Sequence, residues 1–448
     1  MAEVPRTGTS PELPQVGVPI PGNPPAIPPR PKPAPAPAPR IEVRPAASEK
    51  PLPVPSSPPQ GDMLLPPPQI EWREIARLPP APGFAEQPGL AGAFAGAQGL
   101  HLIIAGGANY AAGQAWDEAP RAYWNQIYVL EKERNDTDGN HQYHWVPAGA
   151  ELPQAIAYGA SISVPEGLLC IGGRTVERCY ADCLLLHWNE EQQKVDVLEF
   201  PRLPVPLANH AAVKIDNMIY VMGGRETTVG RATNDFYMLD LSRQHDPKTF
   251  VWQKATPWDG APRIGPLAAV GSDNAGESLY LCGGRNPGGN PDFLSDLHRF
   301  DPRTRSWAIL GSAVDASGNA ATLMSAPTFF VPPHHLVVVG GTDEHLTALL
   351  EDNARRIDTK DPAEAADRKK LLRAILENFP GYSRNVMAFD IIASEWSLIG
   401  TFPERPPVAT SVVNWDLNII IPGGETGPGQ RTAKIWQATV KKKARVVE

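Results

Sequence analysis

The sequence predicts an all-β fold, a six-bladed β-propeller with a helical hairpin inserted into blade five. Three observations predict it. An apolar strand ending in a glycine pair occurs six times, as LIIAGG, LLCIGG, IYVMGG, LYLCGG, LVVVGG and IIIPGG. The copies recur at intervals of roughly 50 to 65 residues, with one longer interval, the period of a four-stranded blade. Around each pair the order is constant: an apolar strand, the glycine-terminated strand, an alternating strand such as NDFYMLDL or NVMAFDI, and a strand marked by tryptophan.

Taken along the chain, residues 1–67 are dense in proline, in blocks such as PPRPKPAPAPAPR and PLPVPSSPPQ. Proline has no N–H and a fixed φ, so this stretch is expected to be an extended, disordered spacer outside the fold. The propeller is expected over residues 68–442 and a short basic tail over 443–448. Blade tryptophans are Trp145, Trp252, Trp307 and Trp396. Glycine pairs suit the end of the second strand because the backbone turns sharply where a Cβ would clash. The last blade has only three strands at the C-terminus. The missing one is EWREIARL near residue 70, with Trp72 in the blade position, so an N-terminal strand closes the last blade and removes an open edge. The long interval, residues 344–381, is read as the helical hairpin. Asp361-Pro362 with Glu364 is a helix start, and Leu372, Ile375, Leu376 and Phe379 fall on one helical face.

Composition sets limits on function. The 448 residues are 42% hydrophobic, with net charge −8 and pI near 5.8. An acidic chain argues against nucleic acid as the main partner, since phosphate binding needs a basic face. No apolar run reaches the roughly 18 residues of a membrane span. The first residues lack the n- and h-regions of a secretory signal, which leaves a cytoplasmic protein or a lost leader. Cys170 and Cys282 sit in strand runs and read as core residues. Cys179 and Cys183 have no partner cluster that would complete a zinc site, so no metal is expected.

Strands within a blade run antiparallel, so the loops after all six glycine pairs and the loops between blades emerge on one face. This gathers Asn109, Arg174, Arg225 with Glu226, Arg285, Asp343, and Glu425 with Arg431. From the connections between blades it adds Tyr158, Asn209, His210, Arg263 and Thr410. The helical hairpin hangs over the same face, where it could act as a lid. An arginine-rich mouth on an acidic protein suggests a small anionic ligand. Glu425 and Arg431 bracket the turn GGETGPGQRT. A carboxylate can exchange a proton with a sugar hydroxyl, and a guanidinium can hold a carboxylate with two hydrogen bonds. Arg174, Arg225 and Arg285 could equally pair with carboxylates of the scaffold, and His210 reads as a channel residue rather than a base. Glu425 with Arg431 could also be a plain salt bridge that fixes the turn.

The repeats follow the kelch pattern. Several segments further resemble the N-acetylneuraminate (sialic acid) mutarotase or epimerase family: GGANYAAGQAW with WNQIYVL, LPQAIAYGASISVPEGLLCIGG, and the helical insertion followed by YSRNVMAFDIIASEWSLIGTFP and GGETGPGQRT. The signature blade is last here, so the chain resembles a cyclically permuted branch. The resemblance implies an isomerase that interconverts the anomers of a small acidic sugar, without cofactor or metal, in an extracytoplasmic setting. It implies that Glu425 and Arg431 match the proposed catalytic pair, with Asn109, Arg174, Arg225, Arg285, Arg263 and His210 lining the pocket. Two departures, the proline of PGGE and the absence of a basic residue before Pro428, leave the exact sugar open. Two rivals are a non-catalytic protein- or glycan-binding kelch platform, which the proline-rich arm would suit, and a copper-radical oxidase of the galactose-oxidase type, for which no Tyr/His/Cys constellation is visible.

Overall fold

The structure, a computed structural model, describes residues 66–441 apart from 82, 114–118, 134–140, 274, 291, 322, 343, 345 and 351–360. The expected spacer (save its last residues, 66 and 67), the whole tail, Asp343 and the middle of the insertion therefore lie outside the described residues. The rest contains six four-stranded antiparallel sheets. Blades one to five span 94–146, 160–200, 211–254, 267–312 and 328–401. Blade six takes Val413–Trp415, Asn418–Pro422 and Lys434–Val440 from the C-terminal end. It takes Ile70–Arg77 from the N-terminal end, in the register Ile70 to Val440 through Arg77 to Lys434. Closure by an N-terminal strand is thus as the sequence implies, and Trp72 packs edge-on against Phe402, 4.8 Å between ring centroids.

Burial explains the apolar runs. The second strand of a blade, such as His101–Ala105, Gly167–Ile171 or His335–Val339, is buried at every position. It lies between neighbouring blades on both faces, which selects an unbroken apolar run over alternation. Innermost strands alternate, as Ala160–Val164 does, because one face lines the central channel. The core is correspondingly split into six clusters, each shared by two adjacent blades. Phe94, Ile103 and Val129 of blade one, for example, meet Leu168, Leu186 and Trp188 of blade two, and Leu102 and Ile104 meet Val413, Trp415 and Ile420 of blade six.

The glycine pairs act as latches between blades. Both glycines of each pair have positive φ, such as +61° and +91° at Gly283 and Gly284. The N–H of the second donates to a carbonyl in the lead-in to the next blade: Gly107 to Ile156 (2.8 Å), Gly173 to Leu207 (2.8 Å), Gly224 to Arg263 (2.7 Å), Gly284 to Leu323 (2.6 Å) and Gly424 to Leu90 (2.7 Å). A Cβ on the first glycine would strike that same segment. At Gly283 it would lie 2.3 Å from Leu323 O. The crowding partner is thus the neighbouring blade's backbone. Inside this layer six residues close a ring of backbone hydrogen bonds around the axis. Gly92 N donates to Ala409 O, Ala409 N to Ser325 O, Ser325 N to Gly265 O, Gly265 N to Asn209 O, Asn209 N to Tyr158 O, and Tyr158 N to Gly92 O, all at 2.7–2.8 Å. All six have φ between +49° and +65°.

The insertion follows the sequence reading in part. Pro362–Glu377 is a helix whose N-cap, Asp361, accepts from the N–H groups of Ala363 and Glu364, with Pro362 opening the first turn. Residues 344 and 346–350 are also helical, and the stretch that would join the two arms lies outside the described residues. Leu376 and Phe379 are its buried residues, and Phe379 packs with Tyr382, Val408 and Leu346 over the mouth of the propeller. Among the described residues no helix is long and apolar enough to cross a membrane.

Replacing Gly283 by Ala forces a Cβ against Leu323 O in a left-handed conformation, and is expected to cost about 2 kcal/mol or more in urea unfolding. Gly400→Ala, where a Cβ meets nothing within 4 Å, is expected to stay within about 0.5 kcal/mol of wild type.

Candidate active site

The residue after five of the six glycine pairs forms a backbone bridge to the residue just before the ring: Ala108 to Ala91, Arg174 to Ala157, Arg225 to Ala208, Arg285 to Ile264 and Glu425 to Val408. Thr342 holds the corresponding place in blade five. Glu425 is therefore the sixfold counterpart of the three arginines, next to the backbone ring that bounds a central channel of about 760 Å³ lined by the innermost strands. After Glu425 the chain forms a small hairpin, Glu425–Gly427 with Gln430–Arg431, in which Glu425 and Arg431 are register partners. The spacing thus brings the two side chains together: Arg431 Nη1 lies 2.7 Å from Glu425 Oε2.

Three features define this pair. Glu425 is held at both oxygens, because the Tyr382 hydroxyl donates to Oε1 at 3.1 Å. Burial and the adjacent Glu425 carboxylate push the Tyr382 phenol well above its ordinary range, so it stays protonated and acts as a donor. The Arg431 side chain is only 2% exposed, and of its donors Nη1 is bonded to Glu425 and to Gln430 O, while Nε and Nη2 have no partner among the described residues. This free edge is the two-pronged side of a guanidinium, the side that matches a carboxylate. Third, Arg431 lies over the Tyr110 ring at 5.4 Å, and a second guanidinium, Arg121, bonds the Tyr110 hydroxyl at 3.0 Å and lies over the rings of Tyr110 and Tyr158. Tyr123 packs against Tyr158 at 6.4 Å, and its hydroxyl, like Arg121 Nε and Thr342 Oγ1, is buried without a partner among the described residues. Buried polar atoms are nearly always satisfied, so a cluster of unpaired donors around two guanidiniums and one carboxylate is suited to an acceptor-rich anion.

The insertion is part of this site. Phe379 packs against Gly427, where an added Cβ would lie 2.7 Å from its ring, and Tyr382 ends the insertion on Glu425. The helical segment therefore braces the turn that the sequence placed beneath it.

The remaining sequence candidates separate into two groups. Arg225 stands on the blade opposite Glu425. Its Nε is unpartnered and its Nη2 lies 3.5 Å from Asn209 Oδ1. Burial and the nearby Arg174 lower its pKa from the ordinary value. Arg174 donates to Thr175 O and to Thr228 O of the next blade's loop. Asn109, Arg285 and Arg263 are spent on the scaffold, which corrects the expectation that they line the pocket, whereas His210 lines the central channel. Asn109 is buried, donating to Gly89 O and accepting from Trp124 Nε1. Arg285 pairs with Asp292 of its own loop at 3.0 and 2.7 Å. Arg263 is fully buried, with bonds to Gly283 O and to both oxygens of Asp296 at 2.9 and 2.6 Å. His210 is buried against Gly172 and Gly224, with its pKa pushed down to about 4 by burial. Tyr110, Arg121, Tyr123 and Tyr382 were not singled out from the sequence. Only Tyr110, next to Asn109 in the first glycine-pair loop, carried a positional signal.

The sequence model described as N-acetylneuraminate epimerase matches residues 61–195 and 200–447. The chain belongs to the N-acetylneuraminate epimerase family. Among curated relatives, N-acetylneuraminate epimerase of Yersinia pestis (strain Pestoides F) is 26% identical over 248 residues, 53% of this chain and 57% of that protein. The enzyme of the same name from Brucella melitensis biotype 1 is 35% identical over 127 residues, 28% of this chain and 32% of that protein. This chain therefore spans a little over half the length of the first of these relatives. The solved structure of YjhT aligns with a TM-score of 0.52 and 14% identity over 79% of this chain and 98% of that one, which supports the propeller fold. The family match covers both the glycine-pair blades and the Glu425 hairpin.

Two stability predictions follow from the scaffold residues. Asp296→Asn leaves the buried Arg263 guanidinium without its counter-charge and is expected to cost about 3 kcal/mol in denaturant unfolding. An unchanged midpoint would refute the structural role of Arg263. For His210, the unfolded chain takes up a proton below pH 6.5 while the folded chain stays neutral down to about 4. Protonation thus favours unfolding, and stability falls as pH drops through that window. The difference corresponds to about 3 kcal/mol. His210→Gln is expected to flatten the loss of unfolding free energy between those pH values by about that amount, and an identical pH profile in the variant would contradict it.

Proposed function

We propose that this protein is a mutarotase that interconverts the α and β anomers of N-acetylneuraminic acid or a closely related acidic sugar. The observation that carries the reading is the unpartnered Nε/Nη2 edge of Arg431, whose opposite side is bonded to Glu425. One guanidinium then orients a substrate carboxylate and the acid–base group together. Family membership supplies the substrate class, and the second guanidinium, Arg121, gives the cluster the positive balance that an acidic sugar needs.

In this reading the substrate carboxylate docks on the free fork of Arg431, which places the adjacent anomeric carbon beside Glu425. The Glu425 carboxylate takes the proton of the anomeric hydroxyl as the ring carbon–oxygen bond breaks. That electron pair goes to the ring oxygen, which receives the proton back from Glu425, and the anomeric carbon becomes a ketone. Rotation next to the ketone presents its other face, and the reverse transfers close the ring as the other anomer. Tyr382, a neutral donor to Oε1, keeps the carboxylate oriented. No electron leaves the substrate, so the chemistry needs only positioned proton transfer, which contributes on the order of 10²–10⁴-fold.

The test is proton NMR of a freshly dissolved single anomer. The protein is expected to accelerate equilibration, Glu425→Gln to reduce that acceleration about 10²-fold or more, and Arg431→Lys to raise the half-saturating sugar concentration because the planar fork is lost. Absence of acceleration by the wild type, or full activity in Glu425→Gln, would overturn the proposal.

A further inference from the structure

The face of the disc opposite the Glu425 hairpin carries chemistry that the proposed reaction does not use. His335 opens the strand His335–Val339 of blade five, at the end away from Gly340 and Gly341. Its register partner is Asp390, the last residue of Asn385–Asp390. His334 precedes it in the turn. Successive residues of a strand point to opposite faces, yet these two imidazoles are stacked, with centroids 4.9 Å apart and planes inclined by 24°. Because His334 belongs to the turn, both rings can approach one carboxylate oxygen. His334 Nε2 lies 3.4 Å and His335 Nε2 3.6 Å from Asp390 Oδ2. The other oxygen of Asp390 is already committed, accepting from Ile392 N at 2.8 Å and Ala393 N at 2.9 Å. The carboxylate is thus pinned with Oδ2 aimed at the two rings.

Those two separations are longer than a normal N–H···O hydrogen bond, which falls at about 2.7–3.2 Å. They match the edge of a tetrahedron around an ion with bonds of about 2.1 Å to nitrogen and oxygen, roughly 3.4 Å. The donor atoms of all three residues lie within 4.8 Å of one another. Closing them on an ion takes a small rotation of the His334 ring, which is 16% exposed at the turn. Two imidazoles with one carboxylate suit zinc, cobalt or nickel, whereas calcium and magnesium prefer all-oxygen sets. Backbone N–H groups that fix the carboxylate supply the outer support such sites require. We propose that His334, His335 and Asp390 bind one divalent transition-metal ion of the zinc class, with the remaining coordination position open to water.

The cysteine spacing gave no sign of this site, because its ligands come from one turn and from a strand end more than fifty residues later. Burial holds the His335 imidazole below its ordinary pKa, which keeps it in the neutral, ligating form near neutral pH. The role that fits the position is mechanical. His335–Val339 and Asn385–Asp390 are joined in sequence only through the helical insertion, and an ion here would clip their ladder at the end remote from it. The inference rests on no step of the proposed mutarotation.

The test is titration of the full-length chain with cobalt(II), followed by displacement with zinc(II). One equivalent of cobalt is expected, with the visible absorption of a four-coordinate site, and zinc is expected to raise the melting temperature. His334→Ala, at a partly exposed turn position that leaves the far-UV circular dichroism unchanged, is expected to weaken binding at least about tenfold. Asp390→Asn is expected to do the same, whereas His144→Ala, on the exposed edge of blade one, leaves the binding unchanged. Failure of the wild type to take up one equivalent, or uptake that survives both His334→Ala and Asp390→Asn, would overturn the assignment.

Discussion

The structure depends on a closed ring of six backbone hydrogen bonds around the channel, with one N–H and one carbonyl contributed by each blade at Gly92, Tyr158, Asn209, Gly265, Ser325 and Ala409. Each of these residues must adopt a left-handed conformation, which costs a non-glycine residue on the order of 1 kcal/mol. Four of the six are not glycine, so the ring holds that strain through closure: every residue donates to one neighbour and accepts from the other. The N-terminal strand of blade six makes the same demand at the rim, since without Ile70–Arg77 the strand Lys434–Val440 would present an open edge. The glycine pairs then tie each blade to the lead-in of the next, and the six apolar clusters fill the wedges between them.

This arrangement separates scaffold from chemistry. The ring and the latches are made by backbone atoms, so the side chain that follows each glycine pair is free to differ from blade to blade. In this protein it is Ala108, Arg174, Arg225, Arg285, Thr342 and Glu425. One pseudo-equivalent position thus supplies three cations, a hydroxyl and a carboxylate to a single mouth. The same position also accounts for divergent fates. Arg285 has an acidic residue in its own loop and is neutralised by it. Arg225 lies near Arg174 and Arg285, meets Asn209 Oδ1 only at 3.5 Å, and retains a donor unpaired among the described residues.

Blade six departs furthest from its sisters and carries the proposed chemistry. Its loop folds back as a hairpin, which brings Arg431 beside Glu425, and the insertion from blade five covers that hairpin through Phe379 and Tyr382. The site is therefore built at a junction of two blades, with its carboxylate fixed from one side by a guanidinium and from the other by a phenol. A carboxylate restrained at both oxygens loses little freedom on binding substrate, which is the physical advantage of building it this way.

Much of the fold was legible because propeller geometry is local and repeated. A glycine pair after an apolar strand, an alternating strand and a tryptophan each reflect contacts within one blade or with its neighbour, and they recur six times. Trp72 revealed closure, and Asp361-Pro362 the helix start, for the same local reason. The pairing of Glu425 with Arg431 was also within reach, since a short turn joins them. What the sequence alone could not decide was which arginines remain available. Arg263 and Arg285 look like Arg225 in the sequence, and only the folded positions of Asp296 and Asp292 set them apart. Nor could it place Arg121, Tyr123 and Tyr382 around the hairpin, or turn His334 and His335 toward Asp390. Those contacts join segments that are remote along the chain, and their geometry exists only once the ring has closed.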